Sequence, residues 1–106
     1  SRHSGMDIAA PTGTEIRCPN NGKVVLAING LLSSGNTVVI DHGLGLFTSY
    51  YHLDSILVKE GEVVKTGDII GTVGSTGFST GPHLHYSVSI YNTYVNPYQP
   101  LSGIFD

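Results

Sequence analysis

The sequence predicts an all-β fold, and three of its features carry that expectation. Fourteen glycines and five prolines punctuate the chain, and the runs between them are short and rich in Val, Ile, Thr and Tyr, residues that suit a pleated, half-buried backbone. No window repeats apolar residues at i, i+3, i+4 and i+7 over three turns, so no long helix is expected. With 106 residues, 40% of them hydrophobic and 12% charged, the chain is neither disordered by composition nor a charge-laced coiled coil, and it suits one domain with one modest core.

The expected strands follow in order. Residues 15–18 alternate charged and apolar side chains and stop at Pro19. Residues 22–29 and 37–42 are Val- and Ile-rich runs bounded by glycine, and residues 46–53 form an aromatic run that begins after Gly45. Residues 69–73 and 83–91 complete the set. Alternation assigns faces, because neighbouring side chains on a strand point to opposite sides of the sheet. In the last strand Leu84, Tyr86, Val88 and Ile90 share a core face, while His83, His85, Ser87 and Ser89 share an open one. In residues 46–53, His52 falls with Tyr50 and Thr48 on the more polar side, opposite Phe47, Tyr51 and Leu53. The segment from Val58 to Gly74 has two glycine-centred turns flanking short apolar pairs and resembles the hairpin of biotinyl and lipoyl carrier domains. No internal repeat is expected.

Charge and cysteine content narrow the function classes. A formal net charge of −3 leaves no basic field to neutralise phosphates, which argues against nucleic acid or an anionic membrane as the main partner. No stretch approaches the roughly 20 apolar residues of a membrane span. The single cysteine, Cys18, allows no internal disulfide. As a nucleophile it has no nearby helix start to lower its pKa, so it reads as a small buried apolar residue.

The histidines point to a metal. Four of the five occur in three short clusters, and Asp7 stands four residues after His3. A catalytic zinc takes three nitrogen or oxygen ligands and leaves a position open, a count that two histidines and a carboxylate meet. His83 and His85, two apart on one strand, project from the same face and could both approach one ion; spacing alone does not say which binds. A lone strand histidine is more often a hydrogen-bonded polar residue than a ligand, and His3-x-x-x-Asp7 alone is a weak pattern. His42, sharing a face with Val38 and Ile40, reads as structural. Glu60 and Glu62 flank Gly61 in a turn and read as solvated charges, so no glutamate general base is in view. A candidate ligand as early as position 3 implies further sequence upstream, because frayed termini hold ligands poorly.

Taken in order, RHSGMDIAAPTGT, GNTVVIDHGLGLFTSYYHL, VKEGEVVKTGDIIGTVGSTGFSTGPHLHY and VNPY resemble the lysostaphin and β-lytic type of zinc metallopeptidases over nearly the whole chain. The signatures are His3-x-x-x-Asp7, Tyr50-x-His52-Leu53 and His83-Leu84-His85. The resemblance implies a single domain, residues 1–106, with an antiparallel β-sandwich-like core and an active-site groove. It implies zinc on His3, Asp7 and His85, His52 and His83 as catalytic residues, and Tyr50 at the substrate. Tyr86 stands where relatives often have Phe or Trp, and Ser87 where they often have an acidic residue or Gly; neither touches the metal set.

The activity so implied is hydrolysis of peptide cross-links in bacterial peptidoglycan, in the cell envelope, periplasmic or extracellular, with a regulatory domain upstream. DIAAPTGT looks more like the cutters of D-alanine stem peptides than those of glycine bridges. Two rivals remain: a metal-free degenerate relative that activates a cell-wall amidase, and a biotinyl or lipoyl carrier. The first lacks ligand or catalytic histidines, whereas all five positions are filled here. The second needs its lysine at a hairpin tip within an apolar pattern that Lys59 and Lys65 do not have.

Overall fold

The computed structural model describes residues 2–91, with side chains from Ser4 onward; the VNPY segment lies outside the described residues. Among the described residues nine strands run in the order β1 (Arg2–Ala9), β2 (Glu15–Arg17), β3 (Gly22–Leu31), β4 (Gly35–Asp41), β5 (Leu46–Leu53), β6 (Ser55–Ile56), β7 (Val63–Val64), β8 (Ile69–Thr72) and β9 (His83–Ile90). The described residues contain no helix, as expected. Six strands form one antiparallel sheet in the order β1-β9-β5-β4-β3-β7, and β2-β8-β6 form a smaller antiparallel sheet.

The core lies where the small sheet packs on one face of the large one. Ile16, Cys18, Ile70 and Val73 meet Val24, Val38, Ile40, Tyr50, Leu53 and Leu84, all under 9% exposed. Cys18 is buried as expected; its thiol donates to the Asn20 carbonyl at 2.9 Å, and burial raises its pKa. His42 is also structural. Its Nδ1 lies 2.8 Å from the Asn21 carbonyl, which can only accept, so Nδ1 carries the proton and Nε2 accepts from the Thr48 hydroxyl at 2.6 Å. Thr48 Oγ1 in turn accepts from the Tyr50 hydroxyl at 2.9 Å.

Three strands go beyond the six expected. The β6 and β7 strands are two residues each, too short to leave a periodic signal. The β1 strand carries Ser, Gly and Met rather than a β-branched run and, among the described residues, pairs only with β9, at the edge of the sheet; Met6 and Ile8 stay 57% and 43% exposed. The segment from Val58 to Ile70 also proves to repeat. In both Lys59-Glu60-Gly61-Glu62 and Lys65-Thr66-Gly67-Asp68, the fourth residue's N–H donates to the lysine carbonyl at 3.0 Å. Its carboxylate accepts the lysine N–H, at 3.1 Å for Glu62 and 2.9 Å for Asp68. The glycines sit at φ near +90° (92 and 91), as a type II turn requires. The two six-residue units are too short and too divergent to stand out before their hydrogen bonds are seen, and Glu62 is a turn-closing acceptor rather than a merely solvated charge.

Candidate active site

The site lies on the face of the large sheet away from the small one, and β9 builds its floor. Alternation there holds at Leu84, which is buried in the core, while His83 and His85 face the open side. Ser87 departs from expectation. It is on the histidine face yet fully buried, flanked by Gly5 on β1 and Ser49 on β5, with the Tyr51 hydroxyl 3.4 Å from its Oγ.

On β5 the alternation breaks, and this corrects two expectations. Asn36 pairs with Leu53 and Val38 with Tyr50, so Tyr51 and His52 together oppose the single residue Thr37, a β-bulge. His52 adopts φ of 62°, the left-handed region that non-glycine residues enter at a cost on the order of 1–3 kcal/mol. The bulge carries His52 to the face of His83 and His85, with ring centroids 5.2 and 6.4 Å away, and returns Leu53 to the core. Thr48 and Tyr50 do not share that face. Tyr50, expected at the substrate, is 1% exposed in the core, where burial raises its pKa. The aromatic residue at the site is its neighbour Tyr51, whose ring lies 5.3 Å from that of His85. Strict alternation hides Tyr51, because only the bulge puts it beside His52.

The register between β1 and β9 sets Asp7 opposite His85, and Asp7 Oδ1 accepts a 2.6 Å hydrogen bond from His85 Nδ1. That bond holds the Asp7 carboxyl below its usual 3.8, helped by the positive character of the neighbouring histidines. His83 Nε2 lies 3.6 Å from the same oxygen. Gly5 makes room for the arrangement: a Cβ there would sit 3.3 Å from His85 Nε2. The backbone of His3 is opposite Ser89, four residues along β1 from Asp7. Its side chain is outside the described residues, and no group of three such donors is arranged to hold an ion among those described. An imidazole nitrogen and a carboxylate oxygen meeting from adjacent strands are nonetheless donors of the kind zinc takes.

His52 and His83 share a second property. His52 Nδ1 is 2.6 Å from the Thr76 carbonyl, and His83 Nδ1 is 2.8 Å from the Gly81 carbonyl, with Ser79 Oγ at 3.2 Å. A carbonyl can only accept, so each Nδ1 carries a proton and each neutral ring keeps its lone pair on Nε2. A cleft of about 400 Å³ lined by Ser33, Ser34, Tyr51, His52, Phe78 and His85 opens onto the His52 and His85 rings. A groove of about 710 Å³ over Val39, Phe47, Ser49 and Tyr91 also reaches Tyr51. Thr76, Gly81 and the serines contribute through the backbone or from loops, where strand periodicity carries no signal.

The sequence pattern of peptidase family M23 matches residues 1–97. The chain belongs to that family. It is 46% identical over 94 residues to the peptidoglycan DD-endopeptidase ShyA of Vibrio cholerae, which covers 89% of this chain and 22% of that protein. Among solved structures, the catalytic domain of the antimicrobial peptidase lysostaphin from Staphylococcus simulans superposes with a TM-score of 0.78 at 37% identity, covering 86% of this chain and 68% of that one. A zinc-containing peptidase from Vibrio cholerae superposes equally well, with a TM-score of 0.78 at 43% identity over 81% of this chain and 26% of that one. The all-β fold and the lysostaphin-type metallopeptidase family expected from the motifs are both found. The M23 chain spans about a quarter or less of the length of the curated relatives it matches, 26% and 22% for two of them.

Proposed function

We propose that this M23 domain is the catalytic part of a longer, zinc-dependent endopeptidase of the cell envelope, periplasmic or extracellular, that hydrolyses peptide cross-links of peptidoglycan. The observation that carries the reading is the outer-face cluster: a convergent Asp7–His85 pair beside two histidines that are each tethered through Nδ1 to a backbone carbonyl. His3, Asp7 and His85 would hold the zinc ion. When bound, zinc supplies Lewis acidity at the scissile carbonyl and toward water.

His52 and His83 do the proton work. An imidazole suits it because its unperturbed pKa, roughly 6.5, allows both proton states near neutrality. One Nε2 takes the proton of the attacking water and later returns that proton to the leaving amine, while the other ring, protonated from solvent, donates a hydrogen bond to the tetrahedral oxyanion and keeps its proton. Tethering each Nδ1–H to a carbonyl leaves Nε2 as the nitrogen available for proton transfer. Tyr51, stacked beside His85, borders both the cleft and the groove, so an extended peptide lying across the sheet passes over it.

The substrate favoured is the D-alanine stem peptide, on the character of the DIAAPTGT segment and the name of the Vibrio relative. Digestion of purified peptidoglycan of two cross-link chemistries, with product masses read out, tests both activity and bond. Chelator-sensitive release of stem-peptide monomers is the expected result. Cleavage of glycine bridges alone would overturn the substrate assignment, and no product from either with zinc-loaded protein would overturn the enzymatic reading.

A further inference from the structure

His52 is held in a conformation that its own backbone disfavours, and the groups that hold it converge from one loop and one hairpin. Its N–H donates to the Ser34 carbonyl at 2.7 Å, and its Nδ1–H donates to the Thr76 carbonyl at 2.6 Å. The next carbonyl along the chain, that of Leu53, accepts from the Thr76 hydroxyl at 2.8 Å and from Asn36 Nδ2 at 2.9 Å. The loop closes on itself, because the Asn36 N–H donates to Thr76 Oγ1 at 3.1 Å. Thr76 therefore grips His52 twice, by its carbonyl on the ring and by its hydroxyl on the peptide that follows.

The grip is rigid. Gly35 and Gly77 pack backbone against backbone, so a Cβ on Gly77 would come within 2.5 Å of the Gly35 nitrogen. The Phe78 N–H donates to the Ser33 carbonyl at 2.9 Å and pins the far side of the loop. A valine at position 76 would keep the shape of threonine but lose both hydroxyl bonds, leaving the Leu53 carbonyl to Asn36 Nδ2 alone and taking the Thr76 hydroxyl from the Asn36 N–H.

We propose that Thr76, seconded by Asn36, is a positioning residue that fixes the left-handed backbone and the Nδ1–H tautomer of His52, and so determines which imidazole nitrogen faces the substrate. The inference rests on the catalytic reading of His52, but the conformational part can be read without any turnover.

Long-range proton–nitrogen NMR of the histidine rings in the full chain, unmutated and as Thr76→Val, Thr76→Ser and Asn36→Ala, provides the test. The unmutated protein shows His52 as a single Nδ1–H tautomer whose proton exchanges slowly with solvent. Thr76→Val and Asn36→Ala show a mixture of tautomers, and Thr76→Ser restores the single form. Zinc-loaded Thr76→Val loses about 10- to 100-fold in kcat at nearly unchanged KM, as expected when a catalytic group is displaced by a fraction of an ångström to an ångström. A purely structural threonine would lower the melting temperature and leave the tautomer, and kcat per folded molecule, unchanged; that result overturns the inference. An Nε2–H tautomer in the unmutated protein overturns it with no variant needed. Full cleavage by His52→Ala would instead sink the catalytic reading of His52 while the tautomer data still decide the role of Thr76.

Discussion

Replacing Tyr50 by phenylalanine separates a core tyrosine from a substrate-binding one. The Tyr50 hydroxyl is enclosed in the core and has one partner, Thr48 Oγ1 at 2.9 Å, which is itself hydrogen-bonded to His42 Nε2 at 2.6 Å. Removing the hydroxyl loses one neutral hydrogen bond, a net loss of about 0.5–1.5 kcal/mol. Thr48→Val is the harsher change, because it strands the buried phenol without an acceptor, at about 1–3 kcal/mol for desolvation left uncompensated, and also removes the donor to His42. In the double variant the stranded phenol is gone and only His42 Nε2 still lacks its partner, so the combined loss falls below the sum of the two. For a domain of this size about 1 kcal/mol moves the melting temperature by roughly 4–8 °C. Urea denaturation of the two single variants and the double variant gives the coupling energy, and peptidoglycan digestion gives KM. Tyr50→Phe is expected to keep wild-type KM with a slightly lower melt. A raised KM with unchanged stability, or strictly additive stability losses, would refute the placement of Tyr50 and its link to Thr48.

Three further outcomes follow from the site. His85→Ala should abolish the chelator sensitivity of the thermal melt, whereas His83→Ala should keep it and lose cleavage, because a bound ion stabilises the native state by mass action; the reverse pattern would exchange their roles. In the metal-free chain the Asp7 carboxyl should titrate below 3.8, so that its hydrogen bond with His85 stabilises the fold above that pH and is lost as pH falls through the lowered folded value. Carboxyl carbon NMR should find the midpoint returning toward 3.8 in His85→Ala, and an unchanged midpoint there would remove His85 as the cause. Gly5→Ala should leave the chain folded but weaken zinc binding severalfold, because its Cβ would press on the His85 ring at 3.3 Å and turn it from Asp7; undiminished affinity in a zinc titration would show that the ring yields freely.

Much of this protein is written in local pattern. Glycine and proline spacing delimits strands such as β4, β5 and β9 to within a residue or two, since turn chemistry and side-chain alternation are properties of consecutive residues. The same locality makes His83 and His85 share an open face, and the three histidine and aspartate signatures in order are enough to point to the metallopeptidase family that the whole-chain comparison finds.

What remained was decided by contacts between residues distant in the chain. The β1 strand has no β-branched run of its own; it is a strand because β9 offers it a ladder, and that ladder brings Asp7 within 2.6 Å of a histidine 78 residues away. Tyr50 and Tyr51 exchange their expected faces relative to His52 because one extra residue is accommodated opposite Thr37, a register fact that neither strand encodes alone. The left-handed turn at His52 is disfavoured by its own backbone and persists through bonds from Ser34 and Thr76. Periodicity assumes that every residue in a strand takes the same step, and at His52 tertiary hydrogen bonds overrode that step.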